Sequence, residues 1–99
     1  LDRISTLWPH KALIIPPDGE RPYDPAEKLK IRRILDGCDL WCEEHFGPKG
    51  YLRPGLSSET AGARWTRLDR MYWFEHSGDC ITFLMHWRGV HDWSPRLPK

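Results

Sequence analysis

Asp24-Pro-Ala-Glu-Lys-Leu-Lys-Ile-Arg-Arg-Ile-Leu-Asp-Gly-Cys-Asp-Leu-Trp-Cys-Glu-Glu-His-Phe-Gly-Pro48 reads as one long helix, and that reading decides the fold. Asp24 is placed to cap it, Pro25 suits the first helical position, and Glu27 has the spacing of a capping box. Ile31, Ile34, Leu35, Cys38, Trp41, Cys42 and His45 recur at i, i+3, i+4 and i+7. That is one apolar stripe, which must be covered by another layer. Gly37 lies within it at a cost of about 1 kcal/mol relative to alanine, so close packing is expected there. Gly47-Pro48 supplies the stop.

Outward from the helix, the chain reads as strands. Lys11-Ala-Leu-Ile-Ile15 is a short apolar run closed by Pro16-Pro17, and residues 16–24 are turn-rich. Residues 48–62 are rich in Gly, Pro and Ser and read as an irregular connector. Arg64-Trp-Thr-Arg-Leu68 and Met71-Tyr-Trp-Phe-Glu-His76 have strand composition, with Asp69-Arg70 as the turn between them. From Ile81 to Arg88, Phe83, Met85 and Trp87 alternate with Leu84, His86 and Arg88, which predicts a further strand. Cys80, Phe83, Leu84 and Trp87 also fit a helical period, but the β-branched Ile81 and Thr82 favour the strand. The expected fold is α+β, one long amphipathic helix packed on a mostly antiparallel sheet in the order β-α-β-β-β. Ninety-nine residues make a single domain over 1–99, with 1–10 and 89–99 loosely ordered.

Composition narrows the function classes. Net charge is +1, so no whole-molecule field draws the chain toward nucleic acid or an anionic membrane. No apolar run approaches the roughly 20 residues that span a bilayer, and Leu1 to Lys11 lacks the order of a secretory signal. Three cysteines cannot all pair within one chain, which points to a reducing, cytoplasmic setting. Six tryptophans, three tyrosines and three phenylalanines are more aromatic surface than one small core readily absorbs, so part of it is expected to face a partner.

Cys38-x3-Cys42-x2-His45 has helical spacing on which two thiolates and an imidazole could converge on zinc, with His76, Cys80, His86 or His91 as a fourth ligand. The same three positions belong to the apolar stripe, and free cysteine is a commonly buried residue, so a packed core is preferred and no metal is assigned. No nucleophile elbow, phosphate loop, dinucleotide turn or metalloprotease helix motif is present. Glu75-His76 and His91-Asp92 are sequence neighbours, and neighbours on a strand point to opposite faces. No catalytic residue and no cofactor is assigned. Lys28, Lys30, Arg32 and Arg33 crowd the start of the helix, while Asp36, Asp39, Glu43 and Glu44 crowd its end, against the helix dipole. Arg64, Arg67, Arg70 and Arg88 are interleaved with Trp65, Trp73 and Trp87, a combination that serves both protein hot spots and single-stranded nucleic-acid surfaces.

Trp41-Cys-Glu-Glu-His-Phe-Gly47, and Tyr72-Trp-Phe-Glu75 leading through Asp79 to Phe83-x-Met85-x-Trp87, together resemble a pattern in small bacteriophage-encoded proteins. Those carry a W-C-E-E segment, an aromatic strand, an Asp-Ala turn and an F-x-L-x-W strand. Cys80 and Met85 stand where that pattern has Ala and Leu. Such proteins share no activity, so the resemblance implies only a phage accessory role. The expected function is a small non-enzymatic interaction protein that binds and modulates or inhibits a host protein. Its anchors would be Trp65, Arg67, Trp73, His86 and Arg88 on the sheet face away from the helix. A single-stranded nucleic-acid module using the same Arg/Trp surface, and a zinc-stabilised module, are the alternatives. No membrane association is expected.

Overall fold

The computed structural model describes residues 7–16, 25–50, 63–90 and 93–97. In chain order the elements are β1 (His10–Ile15), α1 (Pro25–Phe46), β2 (Trp65–Leu68), β3 (Met71–Phe74), α2 (Ser77–Trp87) and β4 (Ser94–Arg96). The class is α+β. The strands form one antiparallel sheet in the order β2-β3-β1-β4.

The long helix begins and ends where its punctuation places it. Its Asp24 cap lies outside the described residues. At the other end Gly47 adopts φ 91, a conformation glycine reaches without strain. Its N–H donates to the Glu43 carbonyl at 3.1 Å. Ile31, Ile34, Leu35, Cys38, Cys42 and Phe46 are buried, Trp41 is half-buried and His45 is exposed.

The stretch from Ser77 to Trp87 is a helix, and this corrects the strand expected over Ile81–Arg88. Its alternation satisfied a period of two and a period of 3.6 together, and the sheet decides between them. With α1 packed toward β2, the face of β1 carrying Ala12 and Ile14 needs its own cover. A helix turns Cys80 and Phe83 onto that face, and α2 packs against β1, β3 and β4. Asp79 in the first turn is favourable to the helix dipole. The element order is therefore β-α-β-β-α-β. The tail also contributes more than its composition suggests: Ser94–Arg96 pairs with β1, and Trp93 is fully buried. Pro95 fits there because β4 is an edge strand.

Both faces of the sheet are covered in part. Trp65, Tyr72, Phe74, Ala12 and Ile14 lie on the helix side, in one core with Phe83 and Trp93. On the opposite face Trp73 packs with Trp8, whose indole N–H donates to the Ala63 carbonyl at 2.9 Å. Gly50 makes this possible. A Cβ there would come within 2.5 Å of Trp8 Cζ2.

Gly37 does not serve the close packing its position suggested. It is exposed, and a Cβ there would meet nothing within 4 Å. Gly37→Ala is therefore expected to stabilise the fold by about 0.5–1 kcal/mol through helix propensity alone, read as a higher urea midpoint at unchanged slope.

Candidate functional site

The five sequence-designated anchors do not converge. Trp65 is 0% exposed; its indole N–H donates to the Gly47 carbonyl at 2.8 Å and its ring stacks on Tyr72. Trp73 is 6% exposed beneath Trp8, with the Lys11 ammonium 5.2 Å from its ring. Neither ring is presented on an open sheet face, which corrects that expectation. The face away from the helices receives its own tryptophan, from a leading segment with no periodic signal.

The arginine cluster is mostly consumed within the molecule. Arg67 Nε donates to both carboxylate oxygens of Asp39 at 2.9 and 3.0 Å, and Tyr72 donates to the same carboxylate at 2.5 Å. That trio fastens β2 and β3 to α1. Arg64 grips Asp79 in the first turn of α2 through two bonds of 3.0 and 2.7 Å, and its guanidinium lies over Phe46. Arg70 donates to the Ile14 carbonyl and lies against Trp93. Of the four, Arg88 alone remains at the surface without such a contact among the described residues.

Cys38 and Cys42 point into the core, and Cys80 is buried beside them in the same cluster. His45 is turned outward, with Nδ1 2.9 Å from the Trp41 carbonyl. Among the described residues no three His, Cys, Asp or Glu side chains are grouped to hold a metal ion. Burial, with the Asp39 charge nearby, pushes the Cys38 thiol up to about 12 from 9.0. Burial raises Cys42 as well. A thiol whose folded pKa lies above its unfolded value stabilises the fold below the unfolded value, and that contribution is lost as pH rises toward the folded one. Unfolding free energy is therefore expected to fall from about pH 9 upward, by up to about 1.4 kcal/mol per pH unit for each buried thiol, as measured by urea midpoints along that series.

Glu75 and His76 do meet, at 3.2 Å, because the chain has left the strand by then; both are exposed. His86 is exposed on α2, and not on a strand. It forms one side of a stack in which Trp41 lies between two imidazoles, 4.2 Å from His45 and 4.5 Å from His86, near parallel to both. This stack joins the two helices.

Among the described residues an exposed apolar row lies elsewhere. Ile81 and Met85 stand one turn apart on the outward side of α2, 55% and 72% exposed, with Arg88 continuing the row. The inward side of the same helix is apolar too. A helix apolar on both sides calls for cover on both. Beside this row a cleft of about 570 Å³ opens between the end of α2 and β4. Leu84, Met85, Pro95 and Leu97 give it an apolar lining, to which Arg88 and Arg96 add two guanidinium groups. Arg88 is the one anchor named from sequence that lies on it. Met85, Arg96 and Leu97 were missed; the spacing Ile81, Met85, Arg88 finds Met85 once the segment is read as a helix, and no sequence signal finds Arg96 and Leu97 on β4 and just after it. No helix among the described residues is long and apolar enough to cross a membrane. No protein-family model, curated protein or solved structure matches this chain.

Proposed function

We propose that the chain is a small non-enzymatic interaction protein whose binding surface is the outward face of α2 and the α2–β4 cleft. The observation that carries this reading is a helix with apolar residues on both sides, one side seated on the sheet and the other exposed beside two arginines. Apolar anchors surrounded by guanidinium groups are the composition of a protein-binding hot spot. The mechanism is occlusion: an apolar group of the partner seats in the cleft against Met85 and Leu97, and Arg88 and Arg96 meet acidic groups beside it. The resemblance to small phage proteins supports a host protein as that partner, with binding serving to modulate or inhibit it. A reducing, cytoplasmic compartment suits three buried free thiols.

Nothing in the geometry favours the nucleic-acid reading. Bases would have to stack on Trp65 and Trp73, and both rings are covered.

The test is capture from host lysate with the whole chain as bait, beside Met85→Asp/Arg88→Glu. A stoichiometric partner held by the parent and lost by the variant, at equal melting temperature, is the expected result. No stoichiometric partner, or one that the variant keeps, overturns it.

A further inference from the structure

The proposed binding surface has a complement on the same molecule. Leu40, on the outward side of α1, is 59% exposed and so contributes little to its own core. Asp36, Glu43 and Glu44, one turn to either side, are exposed carboxylates on the same helix face. Gly37 beside it presents bare backbone with open space where a side chain would be. This is an apolar knob within reach of three negative charges. The α2–β4 cleft has the opposite character: apolar walls from Leu84, Met85 and Leu97, and positive charge from Arg88 and Arg96. Its volume of about 570 Å³ accommodates a leucine together with part of the helical turn that carries it.

A chain does not meet its own need here. The cleft lies on the flank of α2 that faces β4, whereas His86 on the other flank stacks on Trp41 of α1. Leu40 points outward from that helix pair. We propose that the cleft is occupied by a second copy of this chain, with Leu40 of one molecule seated between Met85 and Leu97 of the next. Asp36, Glu43 and Glu44 then face Arg88 and Arg96. This rests on reading the cleft as a protein-binding surface, and it adds an occupant. The two patches differ, so each molecule offers one of each to a neighbouring copy. A copy in the cleft hides the surface a partner would use, so self-docking and partner capture compete. The contact is small and charged, so it is weak and sensitive to salt.

Sedimentation velocity of the whole chain over a concentration series tests this, at about 50 mM and about 500 mM salt. The average mass is expected to rise with concentration at low salt, and association to weaken about tenfold at high salt. Arg88→Glu/Arg96→Glu and Glu43→Lys/Glu44→Lys should each be monomeric, with unchanged circular dichroism. Mixed together they should associate again, because each supplies the patch the other has reversed. Should either fail to fold, Met85→Ser and Leu40→Ser take their places, and loss of association by each is the supporting result. Three results overturn the proposal: a monomer throughout the low-salt series, association that the variants retain, and a mixture that stays monomeric. A monomer that still captures a partner through Met85 and Arg88 overturns self-docking alone. A chain that self-associates through the cleft yet captures no partner overturns the functional reading alone.

Discussion

Trp65→Ala is expected to lower the unfolding free energy by about 4 kcal/mol. The indole is fully buried and stacked on Tyr72 with ring centroids 6.0 Å apart, so truncation removes a large apolar area and opens a cavity among rings that cannot all collapse into it. It also removes the donor to the Gly47 carbonyl, which terminates α1. A domain of this size has about 5–15 kcal/mol of total stability, so the variant is left marginal at ambient temperature. Trp65→Phe keeps a ring in the site and loses the hydrogen bond, for which about 1–2 kcal/mol is expected. Arg88→Glu, at an exposed position lining the cleft, should stay within about 0.5 kcal/mol of the parent. Urea unfolding followed by far-ultraviolet circular dichroism separates the three. A Trp65→Ala protein as stable as Arg88→Glu would mean that this ring lies at the surface, and the core as described would be wrong.

That contrast shows where the sequence was legible. The bounds of α1 follow from local chemistry: a proline that starts it, a glycine that stops it, and a stripe with one period. The strands on either side of Asp69-Arg70 are equally local. The Ser77–Trp87 segment was not, because its residues satisfy two periods and the choice rests on Ala12 and Ile14, which lie more than sixty residues earlier. Trp65 and Trp73 were legible as strand residues, but the reading put both on one face, and the structure sets them on opposite faces. What covers each face is set by α1 on one side and by Trp8 on the other, and no pattern near either tryptophan announces that. The arginines misled for a similar reason. Arg67 meets Asp39 and Arg64 meets Asp79 through tertiary contacts far apart in sequence, so a cluster in the sequence becomes two separate clamps in space. The cleft depends on β4, a strand of three residues with a central proline, which composition alone reads as tail.

The Asp39 clamp gives the second large effect. Asp39→Ala is expected to cost about 2–3 kcal/mol, below the 3–5 kcal/mol typical of breaking a fully buried pair, because water already reaches both side chains. Their exposures are 21% for Arg67 and 19% for Asp39. The orphaned groups are not equally harmed. Tyr72 can redirect its hydroxyl to the Leu35 carbonyl, 3.1 Å away, so it keeps a partner. Arg67 keeps one bond, to the Asp69 carbonyl at 2.6 Å, but loses the only opposing charge that bonds to it among the described residues. The loss therefore arises chiefly from a half-buried guanidinium left without its counter-ion. Removing that group as well should return part of it: Asp39→Ala/Arg67→Ala is expected to lose about 1–2 kcal/mol less than the sum of the single losses. A double-mutant cycle by urea unfolding measures this directly. Additive losses would show that α1 is held to the sheet by the stripe of Ile31, Ile34, Leu35 and Cys38 alone. A coupling of the expected size makes the carboxylate the register pin that sets how far α1 lies along the sheet. Leu40 is the next residue, so the placement of its outward side chain follows from the same pin.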